Sequence, residues 1–181
     1  AMAIQSGMEG MSNDWMTRYY RIVTLAGHES HEWQAQLALI ALTGGMAISR
    51  LALFRLLKRA SSRLVLFGSV AIAALGANIL MQATGYTVSL MGTFFIGIGL
   101  AAGFPVVLGY IGDRYPEQSG TAFSVIFATA LVGNMTINKS FGYLAQHFGV
   151  DQYTKMLLAL LGCSAALLIL AIRELYKCTP K

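Results

Sequence analysis

Charge is what this sequence has least of. Charged residues make up 12% of its 181 positions, where a soluble domain carries about a quarter. With 56% hydrophobic content and a mean hydropathy of +0.60, this leaves room for a soluble domain only if the apolar residues are scattered, and they fall in runs. Cysteine is scarce too. Cys163 and Cys178 lie in or just beyond the last apolar run, and they make neither a metal-ligand spacing nor a disulfide framework. No basic n-region followed by a short apolar core opens the chain, so a cleaved secretory leader is not expected. Histidine is confined to His28, His31 and His147. No nucleophile triad can be assembled from these, and no hydrolase or kinase motif occurs. An enzyme is therefore not expected, nor is a cofactor or a resident metal.

The runs are the main signal. Segments of about 17 to 25 residues without charge read as membrane helices. The helices built on such runs are expected at about 1–20, 34–54, 64–83, 86–112, 119–143 and 155–173, the last two around uncharged runs at Ser119–Asn138 and Met156–Ile172. The second is interrupted by Arg50 near its end, and the first is a span only if Glu9 and Asp14 are tolerated. Helices are the expected form because lipid cannot satisfy bare backbone groups. The runs are too long for barrel strands of about 10 residues and lack strict alternation. The expected fold class is an all-α membrane protein of six transmembrane helices in one bundle.

Six spans alternate the connections between two sides. One side receives Arg50, Arg55, Lys58, Arg59, Arg63, Arg114, Arg173, Lys177 and Lys181, and the other receives Arg18, Arg21, Lys139 and Lys155. Cytoplasmic loops gather Lys and Arg, so the first side is expected to be cytoplasmic, with the C-terminus there. The net charge of +5 is then a topology signal, and nucleic acid is not an expected partner. This orientation starts the first helix inside, at a chain opening directly at Ala1. Several further spans are expected upstream.

The first helix is the odd one. "GMEGMSNDWMTRYY" (Gly7–Tyr20) holds Glu9, Asn13, Asp14, Trp15 and Arg18. Tyr19 and Tyr20 suit an outer aromatic belt. Glu9, ten residues earlier, lies about 15 Å deeper, near the middle of a ~30 Å hydrocarbon core. Gln5, Glu9 and Asn13 recur at i, i+4 and i+8 and share one face. A carboxylate at that depth costs about 2.5–3.5 kcal/mol even on lenient insertion scales. It is tolerated facing a water-filled cavity or a partner, which makes Glu9 a candidate solute or proton site. Asp14 and Arg18 are spaced as a helix-end pair.

Elsewhere, Asn134 and Asn138 in "GNMTINKS" share a face of the fifth helix. They can join helices or bind a polar solute. "GIGLAAGFP" (Gly97–Pro105) is not a phosphate-binding G-x-G-x-x-G and follows no strand. Gly99-x-x-x-Gly103 reads as close helix packing, with a bend at Pro105. "HESHE" (His28–Glu32) is not H-E-x-x-H and reads as a solvated outer loop.

Taken together, "GMEGMSNDWMTRYY", "GGMAISRLALFRLLKR", "AAGFPVVLGYIGDRYPEQSGTAF" and "FGYLAQHFG" resemble, in order, the seventh helix, the eighth helix with its basic inner loop, the tenth helix running into the eleventh, and the end of helix eleven in a major facilitator superfamily transporter. The branch that includes fucose permease is the most similar. Ser49-Arg50 stands where that family usually has Gly-Arg. The resemblance implies the C-terminal half of such a transporter, a 3+3 inverted repeat whose partner half of six helices is not in this sequence. It also implies alternating access about a midplane site. Substrate and coupling residues would then be Gln5, Glu9, Asn13, Trp15, Asn134 and Asn138. Asp113, Arg114 and Glu117 would form an inner gate against the other half. The expected function is proton-coupled transport of a small polar solute, a sugar or similar polyhydroxylated compound, in a bacterial inner membrane. An efflux carrier for amphipathic compounds and a non-transporting membrane scaffold are the competing expectations.

Overall fold

In hydrocarbon every backbone N–H and C=O must be satisfied within its own segment, and among the described residues every regular element is a helix. The fold is seen in a computed structural model that describes residues 2–25, 32–58, 61–114 and 116–177. The helices are α1 (Met2–Tyr19), α2 (Glu32–Leu56), α3 (Ser62–Gln82), α4 (Tyr86–Leu100), α5 (Gly103–Arg114), α6 (Ser119–Phe148) and α7 (Tyr153–Lys177). A wide π turn, Tyr20–Thr24, extends α1, and single 3-10 turns at Pro116–Gln118 and Val150–Gln152 precede α6 and α7. Local chemistry sets several of these ends. Ser61 caps α3 by accepting the Leu64 N–H at 3.4 Å. Gly149, with φ of +90°, stops α6 in a conformation that L side chains rarely adopt.

Among the described residues five stretches are long and apolar enough to cross a membrane: Glu32–Leu56, Ser62–Gln82, Tyr86–Asp113, Ser119–Phe148 and Val150–Leu170. α1 is not among them, because Glu9, Asp14 and Arg18 fall within its 18 residues. Yet α1 is the hub, touching α2, α4, α5, α6 and α7.

The expected 86–112 span is interrupted earlier than Pro105. α4 ends at Leu100, Ala101 and Ala102 form a turn, and α5 starts at Gly103. Proline at 105 has no N–H to give the carbonyl four residues back, at Ala101, and its ring crowds that carbonyl. The break therefore falls on the turn before the proline. Val106 N bonds the Ala102 carbonyl at 3.2 Å and carries the chain into α5.

Without a hydrophobic drive between helices in lipid, small residues set the close approaches. α3 meets α4 through Gly76 and Gly92. A Cβ added at Gly76 would stand 2.6 Å from the Ile96 nitrogen and 2.7 Å from the Gly92 oxygen. Gly99 faces Ala73 and Ser69 of α3, so the packing expected of Gly99-x-x-x-Gly103 is met at its first glycine. α1 lies on α6 through Gly7 against Ile137 and Gly133 against the Ala3 backbone. The core built on these crossings holds Met8, Met11 and Met16 of α1 with Leu42, Ile96, Phe141 and Leu157, all fully buried. A smaller cluster of Leu53, Val65, Ala102 and Val106 closes the other end.

Gly76→Val should therefore destabilise the bundle by about 1–3 kcal/mol, the usual cost of overpacking. Gly68→Val, on the same helix but with nothing within 4 Å of the added Cβ, should cost far less. Thermal unfolding of the two variants in one detergent makes the comparison, and equal losses would show that the α3–α4 crossing does not depend on backbone contact.

Candidate functional site

A charge on an apolar helix must find a partner or water. Glu9 on α1 and Arg50 on α2 find each other: Arg50 Nη2 donates to Glu9 Oε1 at 2.5 Å. The two helices run antiparallel, and Arg21 and Glu32 pair at 3.3 Å near their connection. Side chains tilt toward the N-terminus of their own helix, so on antiparallel neighbours they lean toward one another in depth. Arg50, far along α2, can thus reach back to Glu9. Arg50 lies within α2, engaged by Glu9, rather than in the connection that follows.

The pair forms one wall of an open cleft of about 320 Å³. Its lining comes from four helices: Ser6, Glu9, Gly10 and Asn13 of α1, Arg50 of α2, Phe104 of α5 and Asn134 of α6. The volume is at the lower end of the range for small-molecule sites, about 300–1,000 Å³. Glu9 is the better-covered partner, its side chain 18% exposed against 48% for Arg50. The amides are held in place. Asn138 Nδ2 donates to Asn134 Oδ1 at 2.6 Å, which leaves the Asn134 N–H groups for the cleft. Gly10 makes room for that amide, since a Cβ at this position would collide with it. Asn13 Nδ2 donates to the Glu9 carbonyl at 3.0 Å. Asn138 Oδ1 is buried and has no hydrogen-bond partner.

The stripe expected on α1 divides. Glu9 and Asn13 face the cleft, and Gln5 does not. Gln5 Nε2 donates to the Leu100 carbonyl at 2.6 Å, with its side chain against Gly103, in a separate small space beside Ser69 and Ser164. Trp15 does not line the cleft either. Its ring meets Phe141 edge-on, 5.0 Å between centroids, and the Arg18 guanidinium lies 5.4 Å over it. Arg18 thus engages the indole, while Asp14 stays exposed. Asn138 acts behind Asn134. Asp113 and Glu117 are exposed at the α5–α6 junction and neither lines the cleft, and Arg114 is the last residue of α5. Of the His28–Glu32 motif, residues 28–31 lie outside the described residues. No grouping suited to hold a metal occurs among the described residues.

Tyr19 and Tyr20 are buried rather than set in an outer belt. The Tyr20 hydroxyl bonds Thr93 Oγ1 of α4 at 2.9 Å, and the Tyr153 hydroxyl of α7 donates to Ser12 Oγ of α1 at 2.8 Å. These bonds tie α1 to both neighbours above the cleft. Sequence reasoning missed Arg50, Ser6 and Phe104 as lining residues. A signal for Arg50 was present, since it is a lone cation inside an otherwise uncharged span and Glu9 is an acid without a partner. Ser6 and Phe104 carry no such mark.

A family model described as Major Facilitator Superfamily matches residues 15–180. The match includes Arg50, Phe104 and Asn134 and begins after Glu9. Among curated proteins none matches the chain.

If the ion pair holds α1 to α2, Glu9→Gln and Arg50→Gln should each destabilise the protein by about 1–3 kcal/mol by stranding the other partner. The double variant should then lose less than the sum of the two, with a coupling of about 0.5–3 kcal/mol. Thermal unfolding of the four proteins gives the cycle. Strictly additive losses would mean that the contact contributes nothing to helix packing.

Proposed function

The chain belongs to the Major Facilitator Superfamily, and on that premise we propose that it works as a secondary transporter carrying a small polar solute, a sugar or a similar polyhydroxylated compound, in symport with protons. Membership supports secondary transport in general. The observation that carries the finer reading is the cleft, where an ion pair, two amides and a hydroxyl converge on one open space beside an aromatic ring. A polyhydroxylated solute needs that mixture of donors and acceptors, and a sugar ring needs a flat apolar face such as Phe104 to lie on. An amphipathic efflux substrate would be better served by an apolar lining. A packed scaffold would have no reason to keep an ion pair half open to water.

In this proposal α1 is a sixth span, its polar face kept from lipid by the helices around it. The six spans form a 3+3 repeat that rocks against a partner half of six helices. Glu9 and Asn13 contact solute from α1, Asn134 from α6, and Asn138 orients Asn134. Gln5 and Trp15 hold α1 in position. Asp113, Arg114 and Glu117 make the inner gate by pairing with the other half. The greater share of Lys and Arg at the α2–α3 and α5–α6 connections and the C-terminus supports a cytoplasmic position for those segments, in a bacterial inner membrane. Glu9 carries the coupled proton, since protonation is the one change that alters the cleft's charge while leaving Arg50 intact.

Uptake by the full-length protein in proteoliposomes tests this. Glu9→Gln should abolish proton-driven uptake or make it insensitive to pH, and Asn134→Ala should raise the apparent KM about tenfold, the loss of one good hydrogen bond. Normal, pH-dependent uptake by Glu9→Gln would make the carboxyl purely structural, and an unchanged KM would remove Asn134 from the solute's path.

A further inference from the structure

We propose that the solute carries a carboxylate, being a hydroxylated organic acid or sugar acid rather than a neutral sugar, and that its carboxylate takes the Arg50 guanidinium from Glu9. The inference rests on the transporter reading above and narrows its substrate class.

The geometry of the pair points to this. Arg50 meets Glu9 through Nη2 alone and Oε1 alone. A guanidinium presents five N–H donors in a planar fork suited to a two-pronged grip on a carboxylate, and a structural Arg–Glu pair commonly uses both prongs. Here one prong is used and the side chain is 48% exposed on the cleft. Among the described residues the guanidinium makes no second hydrogen bond.

A count of cleft groups by type agrees. Donors left over are most of the guanidinium, both N–H groups of Asn134, one N–H of Asn13 and the Ser6 hydroxyl. The Asn134 oxygen accepts from Asn138 and keeps one lone pair. Acceptors left over are that lone pair, the Glu9 oxygens, Asn13 Oδ1 and the Ser6 oxygen. A neutral sugar hydroxyl can accept from these donors but brings the guanidinium no opposite charge. A carboxylate brings that charge and accepts through both oxygens, while hydroxyls on the same molecule reach the acceptors and its carbon face meets Phe104.

The same arrangement makes proton and anion binding depend on each other. Among the cleft-lining residues the charged groups are Glu9 from α1 and Arg50 from α2. α5 contributes Phe104 and α6 contributes Asn134, and neither titrates. Protonating Glu9 alone strands the guanidinium, and binding an anion alone places two carboxylates on one cation. Together the two events keep the cleft neutral, since the solute's carboxylate replaces the carboxylate that Glu9 gives up. The charge crossing with each proton is then balanced by the anion, and transport is electroneutral for a monocarboxylate.

The test uses full-length protein, with gluconate and galacturonate as probes against sorbitol and galactose. Thermal stabilisation in detergent and uptake into proteoliposomes are measured for each. The expected result is stabilisation and proton-driven uptake with at least one acid and neither with its neutral counterpart. Arg50→Lys should weaken binding of the acid about tenfold, by losing the planar fork while keeping the charge. Arg50→Gln should abolish it. Glu9→Gln should bind the acid at least as tightly as wild type, because the competitor for Arg50 is gone, while its uptake no longer responds to the proton gradient. Stabilisation by sorbitol or galactose alone would overturn the proposal and leave the transporter standing. So would weaker acid binding in Glu9→Gln. If none of the four compounds stabilises or enters, the carboxylate proposal falls, and absence of solute-dependent proton movement with a wider set of sugars would take the transporter reading with it.

Discussion

The fold depends on an acid and a base that cannot be left without each other. Either Glu9 or Arg50 stranded by loss of its partner would cost about 1–3 kcal/mol, which is a large share of the margin by which proteins are stable. The pair therefore forces α1, the most polar helix, into the centre, where it touches five other helices. That position in turn requires thin contacts. Gly7 lets the Ile137 side chain press on α1, Gly133 lets α6 meet the Ala3 backbone, and Gly10 lets Asn134 project past α1 into the cleft. The glycines, the amide and the ion pair belong to one arrangement: without close approach on the α6 side, α1 could not present Glu9 to Arg50 and Asn134 together.

The remaining polar groups follow a division set by the solvent. Hydroxyls on exposed faces close on their own helix: Thr43 on the Leu39 carbonyl, Ser124 on Gly120, Thr129 on Val125, Thr136 on Val132 and Ser140 on Thr136, at 2.7 to 3.0 Å. Such bonds back to the carbonyl four residues earlier are available to any Ser or Thr in a helix, and they let the residue face lipid without a neighbour. Ser12 and Thr93, fully buried, instead receive partners from Tyr153 and Tyr20 on other helices. Two buried hydroxyl contacts between helices thus meet α1 and its π turn, and a third tyrosine, Tyr86, ties α4 to the Gln34 carbonyl of α2 at 2.8 Å.

Much of this was legible in the residues, for a physical reason. Long uncharged runs are forced by bilayer thickness, so the apolar helices could be read directly, and the proline announced a break if not its place. Side-chain direction was less legible. Spacing of four residues advances about 400°, so each step drifts about 40° around the helix. Gln5 and Asn13 therefore lean to opposite sides of Glu9, some 80° apart. The cleft lies to the Asn13 side, and Gln5 is turned onto the α4–α5 turn. Arg50 was hidden differently. Near the end of its span it reads equally as a loop cation, and only the register between two antiparallel helices distinguishes the two. Tyr19 and Tyr20 look like interface residues because tyrosine suits both an interface and a buried hydroxyl bond, and partners decide which.

The position of Gln5 connects the cleft to the one discontinuity in its surrounding helices. Interrupting α4 at Ala101–Ala102 strips carbonyls of their usual donors, and Gln5 supplies one of them, at Leu100. Phe104 follows immediately in α5, its ring lying against Phe127 of α6 with centroids 6.3 Å apart and planes 17° from parallel. Any change of angle between α4 and α5 must move Phe104, which lines the cleft, and must strain or release the bond from Gln5. Since Gln5 and Glu9 are one turn apart on the same helix, a displacement of α1 that loosens the ion pair also pulls on that bond. The polar face of α1 is thus mechanically joined at one turn to the charge in the cleft and at the next to the helix break that sets its wall.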